Sequence, residues 1–433
     1  MNTPQLSEYF ANKQPSAIRM AQMEFAKRLD KVHAINVSVG NVSLPMHPKM
    51  QERMFNIKDS TTPLAEWIVQ YSQTAWLPET NDAFLHIIES SGFDISKLYS
   101  QVTDGWSQAM ELVLLGVSDA NDKPIMLIDP AYTNYLAFAA RTSRKTTSLQ
   151  RTLQDDGKFS LPQREYIEAT IQEQKPSAII VIPYDNPTGQ LYTREDMVRI
   201  AELCVKHNMW MISDEAYREL HYDKSDTISI WGITDQDVPG IEGRRISIET
   251  ASKVWNACGL RIWAMITDSA EFHQQSVAEN TTSLCSNIIG QYIFGALAHE
   301  SQEDLQKWYE LQRNYYGSML QTLSDDFQSL LPGVIVSSPD ASIYSVIDVR
   351  NIVKPGFDAK SFSLFCSQQW VVDIEGEKYT LLVSPMSWFY RTNAGETNPG
   401  TMQMRISFVE TPEKMKLVPK LFAELLETYE KSR

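Results

Sequence analysis

The chain has 433 residues, with 39 Lys or Arg against 54 Asp or Glu, for a formal net charge of −15. Apolar residues make up 43% of it and charged residues 21%, a globular composition without the charge excess of a disordered chain and long enough for two domains. The acidic balance argues against nucleic acid as the main partner, since phosphate backbones need basic faces, but it leaves room for a local pocket that holds a phosphorylated small molecule.

The first residues show no basic segment followed by an apolar core, and no apolar run has the length of a membrane span, so a cytoplasmic protein is expected. Short apolar runs at 125–129, 178–184, 210–214, 246–249 and 262–267 read as buried strands. Between the second and third, residues 194–208 carry apolar side chains at helical spacing, and Thr193 with Asp196 three positions on is close to a capping box. Strands alternating with helices imply a mostly parallel sheet covered on both faces. A long amphipathic helix is expected over 302–327, with Leu305, Trp308, Tyr309, Leu311, Tyr315 and Leu320 on one side. Shorter strands at 334–337 and 343–349 and a closing helix at 412–430 follow, so βαβ order gives way to mixed order near 300–325. The four cysteines, Cys204, Cys258, Cys285 and Cys366, lie far apart without a CxxC or a neighbouring His pair; they read as reduced thiols, with no metal site.

Three stretches carry chemistry. The first is Asn186-Pro187-Thr188-Gly189, directly after a strand, which by itself could be an ordinary turn. The second is Ser213-Asp214-Glu215-Ala216-Tyr217, which puts an acid at the carboxyl end of a buried strand, where a helix N-cap is the bland alternative. The third is Thr250-Ala251-Ser252-Lys253, followed by Gly259-Leu260-Arg261, where a surface Lys and Arg would also serve.

Taken together, in this order and spacing, they resemble the class I aminotransferases among the fold-type I pyridoxal-phosphate-dependent enzymes (aspartate/aromatic aminotransferase-like), and the resemblance runs from Val39-Gly40 to the C-terminal helix. It implies an α/β fold, a mostly parallel sheet with helices on both faces, plus a smaller α+β domain formed by the N- and C-terminal segments. The expected divisions are 1–48 as an arm and part of the small domain, 49–310 as the large cofactor-binding domain and 311–433 as the small C-terminal domain.

The resemblance also implies roles. Lys253 matches the amine that condenses with the cofactor aldehyde as an internal aldimine and then shuttles the proton, and Asp214 the carboxylate that keeps the pyridine nitrogen protonated. Asn186 and Tyr217 match the donors to the ring hydroxyl. Amides of Gly105, Trp106 and Ser107, at the start of a helix expected over 109–117, would cup the phosphate together with Thr250 and Arg261. Tyr132 is assigned the stack on the ring face, with Tyr135 as the competing choice. Tyr71 matches the tyrosine that reaches the partner subunit's phosphate, which implies a homodimer with shared active sites. Arg405 matches the arginine for the substrate α-carboxylate and Gly40 the edge that closes over the substrate, with Asn41, Trp76 and residues 280–283 as further side-chain contacts. Trp76, Trp106 and Trp263 stand where this family usually has small residues, which reads either as loop packing or as a more enclosed aromatic pocket whose substrate differs from the common dicarboxylates.

The expected activity is therefore transfer of an amino group from an L-amino acid to a 2-oxo acid by a ping-pong mechanism, with 2-oxoglutarate the default acceptor. A lyase, decarboxylase or synthase on the same cofactor is the alternative, and a non-catalytic regulatory cofactor-binding module is a further one.

Overall fold

The computed structural model describes residues 4–433 apart from 14, 16, 60–61, 73–76, 223–225, 338–339 and 393–394. Trp76, expected near the substrate, thus lies outside the described residues. The five apolar runs all form strands, because Val- and Ile-rich segments buried on both faces suit the interior of a covered sheet. Every residue of Ile125–Asp129, Ala178–Val181, Arg245–Thr250 and Ile262–Thr267 is buried.

They belong to a seven-stranded sheet, in the order Tyr99–Asp104, Ile262–Thr267, Arg245–Thr250, Trp210–Asp214, Ala178–Val181, Ile125–Asp129, Thr146–Gln150. All neighbours are parallel except around Ile262–Thr267, which runs antiparallel to both of its partners. The run expected over 178–184 ends at Val181; Pro183 has no N–H to give a ladder, and Tyr184 joins only an isolated bridge to Leu191. The edge strand Thr146–Gln150, polar and only partly buried, carries no apolar signal in the sequence.

Helix Arg194–Lys206 starts as its sequence predicts: Thr193 Oγ1 accepts from the Asp196 N–H at 3.1 Å, and Asp196 Oδ2 accepts from the Thr193 N–H at 3.3 Å. Helix Gly105–Val117 begins four residues before its expected start at 109. The long helix spans Gln302–Leu330, and its buried stripe runs through Leu305, Trp308, Tyr309, Gln312, Tyr316, Met319, Leu320, Leu323 and Phe327. Leu311 does not share that side: it is 59% exposed, sitting about 100° around the helix from Gln312. The expected closing helix is two, Pro412–Met415 and Val418–Ser432, because Pro419 cannot donate back to Met415 and fits only a first turn.

Of two small sheets, one joins the N-terminal segment to C-terminal strands and the other is wholly C-terminal. His33–Asn36 pairs in parallel with Glu377–Leu382, which pairs antiparallel with Val372–Ile374. Ile335–Val336, Tyr344–Asp348, Gln403–Ser407 and Ser384–Pro385 form an antiparallel sheet in that order. N-terminal residues therefore meet C-terminal ones beside the carboxyl ends of the large sheet's strands, and the site lies where they meet.

Candidate active site

A cavity of about 730 Å³ is lined by Gly40, Asn41, Trp106, Ser107, Tyr132, Asn186, Asp214, Tyr217, Lys253, Arg261, Trp263 and Arg405. Residues that are widely separated in the sequence thus converge on one space. Thr250 and Gly105 stand behind it, and residues 280–283 are not among those lining it: the Asn280 side chain is turned to Gln108 Nε2, at 2.7 Å. Tyr71 is 77% exposed and does not line its own chain's cavity.

Asn186 does sit in a turn, but the turn is braced so that its side chain meets the cavity. Beneath it, Arg151 Nη2 pairs with Asp185 Oδ2 at 2.7 Å, both side chains buried, and the Ser342 hydroxyl donates to the Asp185 carbonyl at 3.0 Å. Asn186 Oδ1 then accepts from Arg405 Nη1 at 2.9 Å. Arg405 comes from the middle of an inner strand, with Nη2 on the Ser38 carbonyl at 2.6 Å and its guanidinium 4.5 Å from the Tyr344 ring centre and 5.0 Å from that of Phe389. Its Nε, fully buried, has no partner among the described residues. The guanidinium is therefore oriented but not saturated, which suits a site for a carboxylate.

Asp214 ends its strand without capping a helix; a turn follows, and Oδ1 accepts the Ala216 N–H at 3.2 Å. Oδ2 accepts from Tyr135 Oη at 2.8 Å and from Trp106 Nε1 at 2.9 Å. Burial pushes the carboxyl above the usual range, and the Tyr135 and Trp106 donors hold it back. Of the two candidate tyrosines, Tyr135 is thus spent on Asp214, while Tyr132 lines the cavity. Tyr217 Oη lies 2.8 Å from Tyr344 Oη, and burial keeps the Tyr217 phenol well above its ordinary range.

Lys253 Nζ donates to the Gly40 carbonyl, so the amine is tied to the N-terminal segment that lines the cavity. A Cβ on Gly40 would lie 2.1 Å from Tyr344 Oη, so only glycine lets this backbone approach. Gly105 is the second such case: φ is +80°, and a Cβ there would stand 2.3 Å from Arg261 Nη2. No side chain caps the helix that Gly105 begins, so the free N–H groups of Gly105, Trp106 and Ser107 and the Arg261 guanidinium gather at one corner, a set of donors that suits an anion. Thr250 Oγ1 accepts the Ser252 N–H at 2.7 Å behind that corner.

Comparison with known proteins decides the family. The family model "Aminotransferase class I and II" matches residues 33–415. The chain belongs to the class I and II aminotransferases. An aspartate aminotransferase of Musicola paradisiaca is 24% identical over 76% of this chain and 74% of its own. The putative aminotransferase YugH of Bacillus subtilis is 24% identical over 83% of this chain and 86% of its own. Among solved structures, Bna3p, a putative kynurenine aminotransferase from Saccharomyces cerevisiae, superposes with a TM-score of 0.79 at 18% identity, covering 99% of this chain and 100% of its own. As an aminotransferase of this family, the protein is a pyridoxal-phosphate-dependent transferase. The residues present fit that cofactor: an amine, a buried carboxylate and an uncapped helix start beside a guanidinium surround a cavity of sufficient size.

Several site residues have no motif to announce them. Tyr344, which meets Tyr217, Gly40 and Arg405, and Ser38, which accepts from Arg405, become neighbours only when the small sheets form. Ile18, Arg19 and Gln22, in helix Ala17–Phe25, also line the cavity. The Arg19 side chain makes no hydrogen bond or ion pair among the described residues.

Proposed function

We propose that this aminotransferase works on L-amino acids, with an acidic side chain on at least one member of its donor–acceptor pair, and that the residues above take the following roles. Bound pyridoxal phosphate supplies an electrophilic aldehyde and an electron-accepting ring. Lys253, held by the Gly40 carbonyl, would take the proton from the substrate Cα and return it to the cofactor side. Asp214 would face the ring nitrogen and Tyr132 the ring. Asn186 and Tyr217 would donate to the ring hydroxyl, Asn186 through its amide Nδ2, since its Oδ1 accepts from Arg405. Arg261, Thr250 and the amides of Gly105, Trp106 and Ser107 would hold the phosphate, and Arg405 would fix the α-carboxylate and so orient the Cα–H bond.

The observation that carries the substrate reading is Arg19: a guanidinium that lines the same cavity as Arg405 and has no partner of its own among the described residues. A second carboxylate on the substrate gives it one. The assembly proposed is a homodimer in the cytoplasm. Trp67, 74% exposed, with Ile68, Val69 and Tyr71 forms an apolar exposed run beside the region the family uses for its partner, and Tyr71 would reach the partner's phosphate. Among the described residues no helix is long and apolar enough to cross a membrane.

The decisive experiment adds each of twenty amino acids singly to the holoenzyme and follows formation of pyridoxamine phosphate and release of the oxo acid. Stoichiometric conversion with aspartate or glutamate is expected. Turnover of an amino acid without accumulation of pyridoxamine phosphate would mark a lyase or decarboxylase and overturn the reading.

A further inference from the structure

Asp214 is buried and forms no ion pair among the described residues. The titratable groups facing it are Tyr132, Tyr135 and Tyr217, with Glu249 on the next strand and Lys253 across the cavity. A carboxylate in such surroundings is driven toward its neutral acid, in which form it cannot stabilise a cationic ring nitrogen. Three neutral donors oppose this: Trp106 Nε1 at 2.9 Å and Tyr135 Oη at 2.8 Å, both on Oδ2, and the Ala216 N–H at 3.2 Å on Oδ1. Each carboxylate oxygen offers about two acceptor positions. Oδ2 is therefore full, and one position remains, on Oδ1.

We propose that Trp106 is a positioning residue that holds Asp214 ionised and leaves the free lone pair of Oδ1 for the cofactor's ring nitrogen. The indole is fixed for this task, with the rings of Tyr132, Tyr135 and Phe138 each centred 5.4 Å from it. Each hydrogen bond it or Tyr135 donates lowers the proton affinity of the carboxylate, so the proton shared between Asp214 and the ring nitrogen resides on nitrogen. Its N–H thus adds to the site a function that its backbone amide, at the phosphate corner, does not supply. The proposal rests on the pairing of Asp214 with the ring nitrogen.

The test is the 15N resonance of the ring nitrogen in holoenzyme reconstituted with 15N-labelled pyridoxal phosphate. Trp106→Phe removes one hydrogen bond to a charged group and is expected to move the proton about tenfold toward Asp214, shifting the resonance toward that of neutral pyridine. Site-specific replacement of Trp106 by β-(3-benzothienyl)alanine, an indole isostere with sulfur in place of N–H, keeps the shape and is expected to give the same shift. Tyr135→Phe is expected to shift it in the same direction. An unmoved resonance in both variants at position 106 overturns the proposal, as does tighter cofactor binding by Trp106→Phe with the resonance unmoved, which would make the indole an obstruction. Asp214→Asn separates the two assignments. A nitrogen that ignores this change removes the Asp214 pairing itself, whereas one that follows it but ignores both changes at 106 removes only the role of Trp106.

Discussion

At the floor of the cavity, Asp214 has both oxygens engaged, Asn186 is held by Arg405, and Tyr217 meets Tyr344. At the rim, among the described residues, the Arg19 side chain has no partner and that of Arg261 donates only to the Cys258 carbonyl at 3.2 Å, while Tyr71 is 77% exposed. The floor rests on strand ends of the large sheet, where burial forces every polar group to find a partner within the chain. The rim comes from a terminal helix and loops, whose polar groups water can satisfy until a ligand or a second subunit arrives. The floor is thus organised by one chain in advance, which is what orientation of a reacting bond requires, while the rim selects what enters.

Breaking the floor should cost most. Lys253→Ala removes the amine that moves the proton, and transamination should fall to background in a coupled assay, with loss of the visible absorbance of the holoenzyme. Retained turnover would dismiss Lys253 as the proton carrier. Arg405→Lys keeps the charge but loses the planar fork that the Asn186 side chain and Ser38 carbonyl orient. The expected loss in kcat/KM is about 100-fold, the size of a charged hydrogen bond or two, and it should appear with every donor alike. A loss confined to acidic donors would instead give Arg405 the side-chain carboxylate.

A third change probes how the floor is supported. Glu215, next to Asp214, is buried; its Oε1 accepts from Ser213 Oγ at 2.8 Å, Ser229 Oγ at 3.0 Å and the Ile230 N–H at 3.0 Å. Burial raises its carboxyl from 4.5 to about 7 against the pull of Arg218, which is itself paired with Glu249 at 2.6 Å. The folded state therefore binds this proton more tightly than the unfolded chain. Its contribution to stability is whole below about 4.5 and is lost as pH rises through about 7. Denaturation at a series of pH values should show wild type losing stability relative to Glu215→Gln across that window, and parallel curves would refute the shift.

Much of the floor was legible because its residues follow strand ends in short runs. Asp214 closes an apolar run, Asn186 follows another, and Lys253 follows a third, so local spacing records where the sheet delivers them. Tyr344 and Ser38 left no such trace, since their partners Tyr217 and Arg405 lie 127 and 367 residues away in the chain, a matter of topology rather than of spacing. Trp106 was legible as an unusual residue at the phosphate corner and Asp214 as an acid at a strand end, but the bond from the indole to that carboxylate was not. The edge strand Thr146–Gln150 escaped because one side of an edge needs no apolar run, and Leu311 was misplaced because an apolar residue on a long helix need not lie on its buried stripe.

The rim should give the smallest and most selective effect. Arg19→Ala leaves Asp214, Lys253 and Arg405 untouched and removes a cation that no protein group neutralises among the described residues. An exposed charge meeting a substrate carboxylate at the cavity mouth is screened by solvent, so about tenfold in kcat/KM is the expected loss for glutamate and aspartate, with neutral donors unchanged. Because the pair is partly exposed, the loss should shrink as salt is raised, whereas the loss caused by Arg405→Lys, a buried contact, should not. If Arg19→Ala lowered neutral and acidic donors equally, the helix Ala17–Phe25 would be acting on closure of the cavity and not on the charge of its contents. Selectivity that follows Arg19 and salt together would place substrate discrimination at the rim, in the element least constrained by the sheet that performs the chemistry.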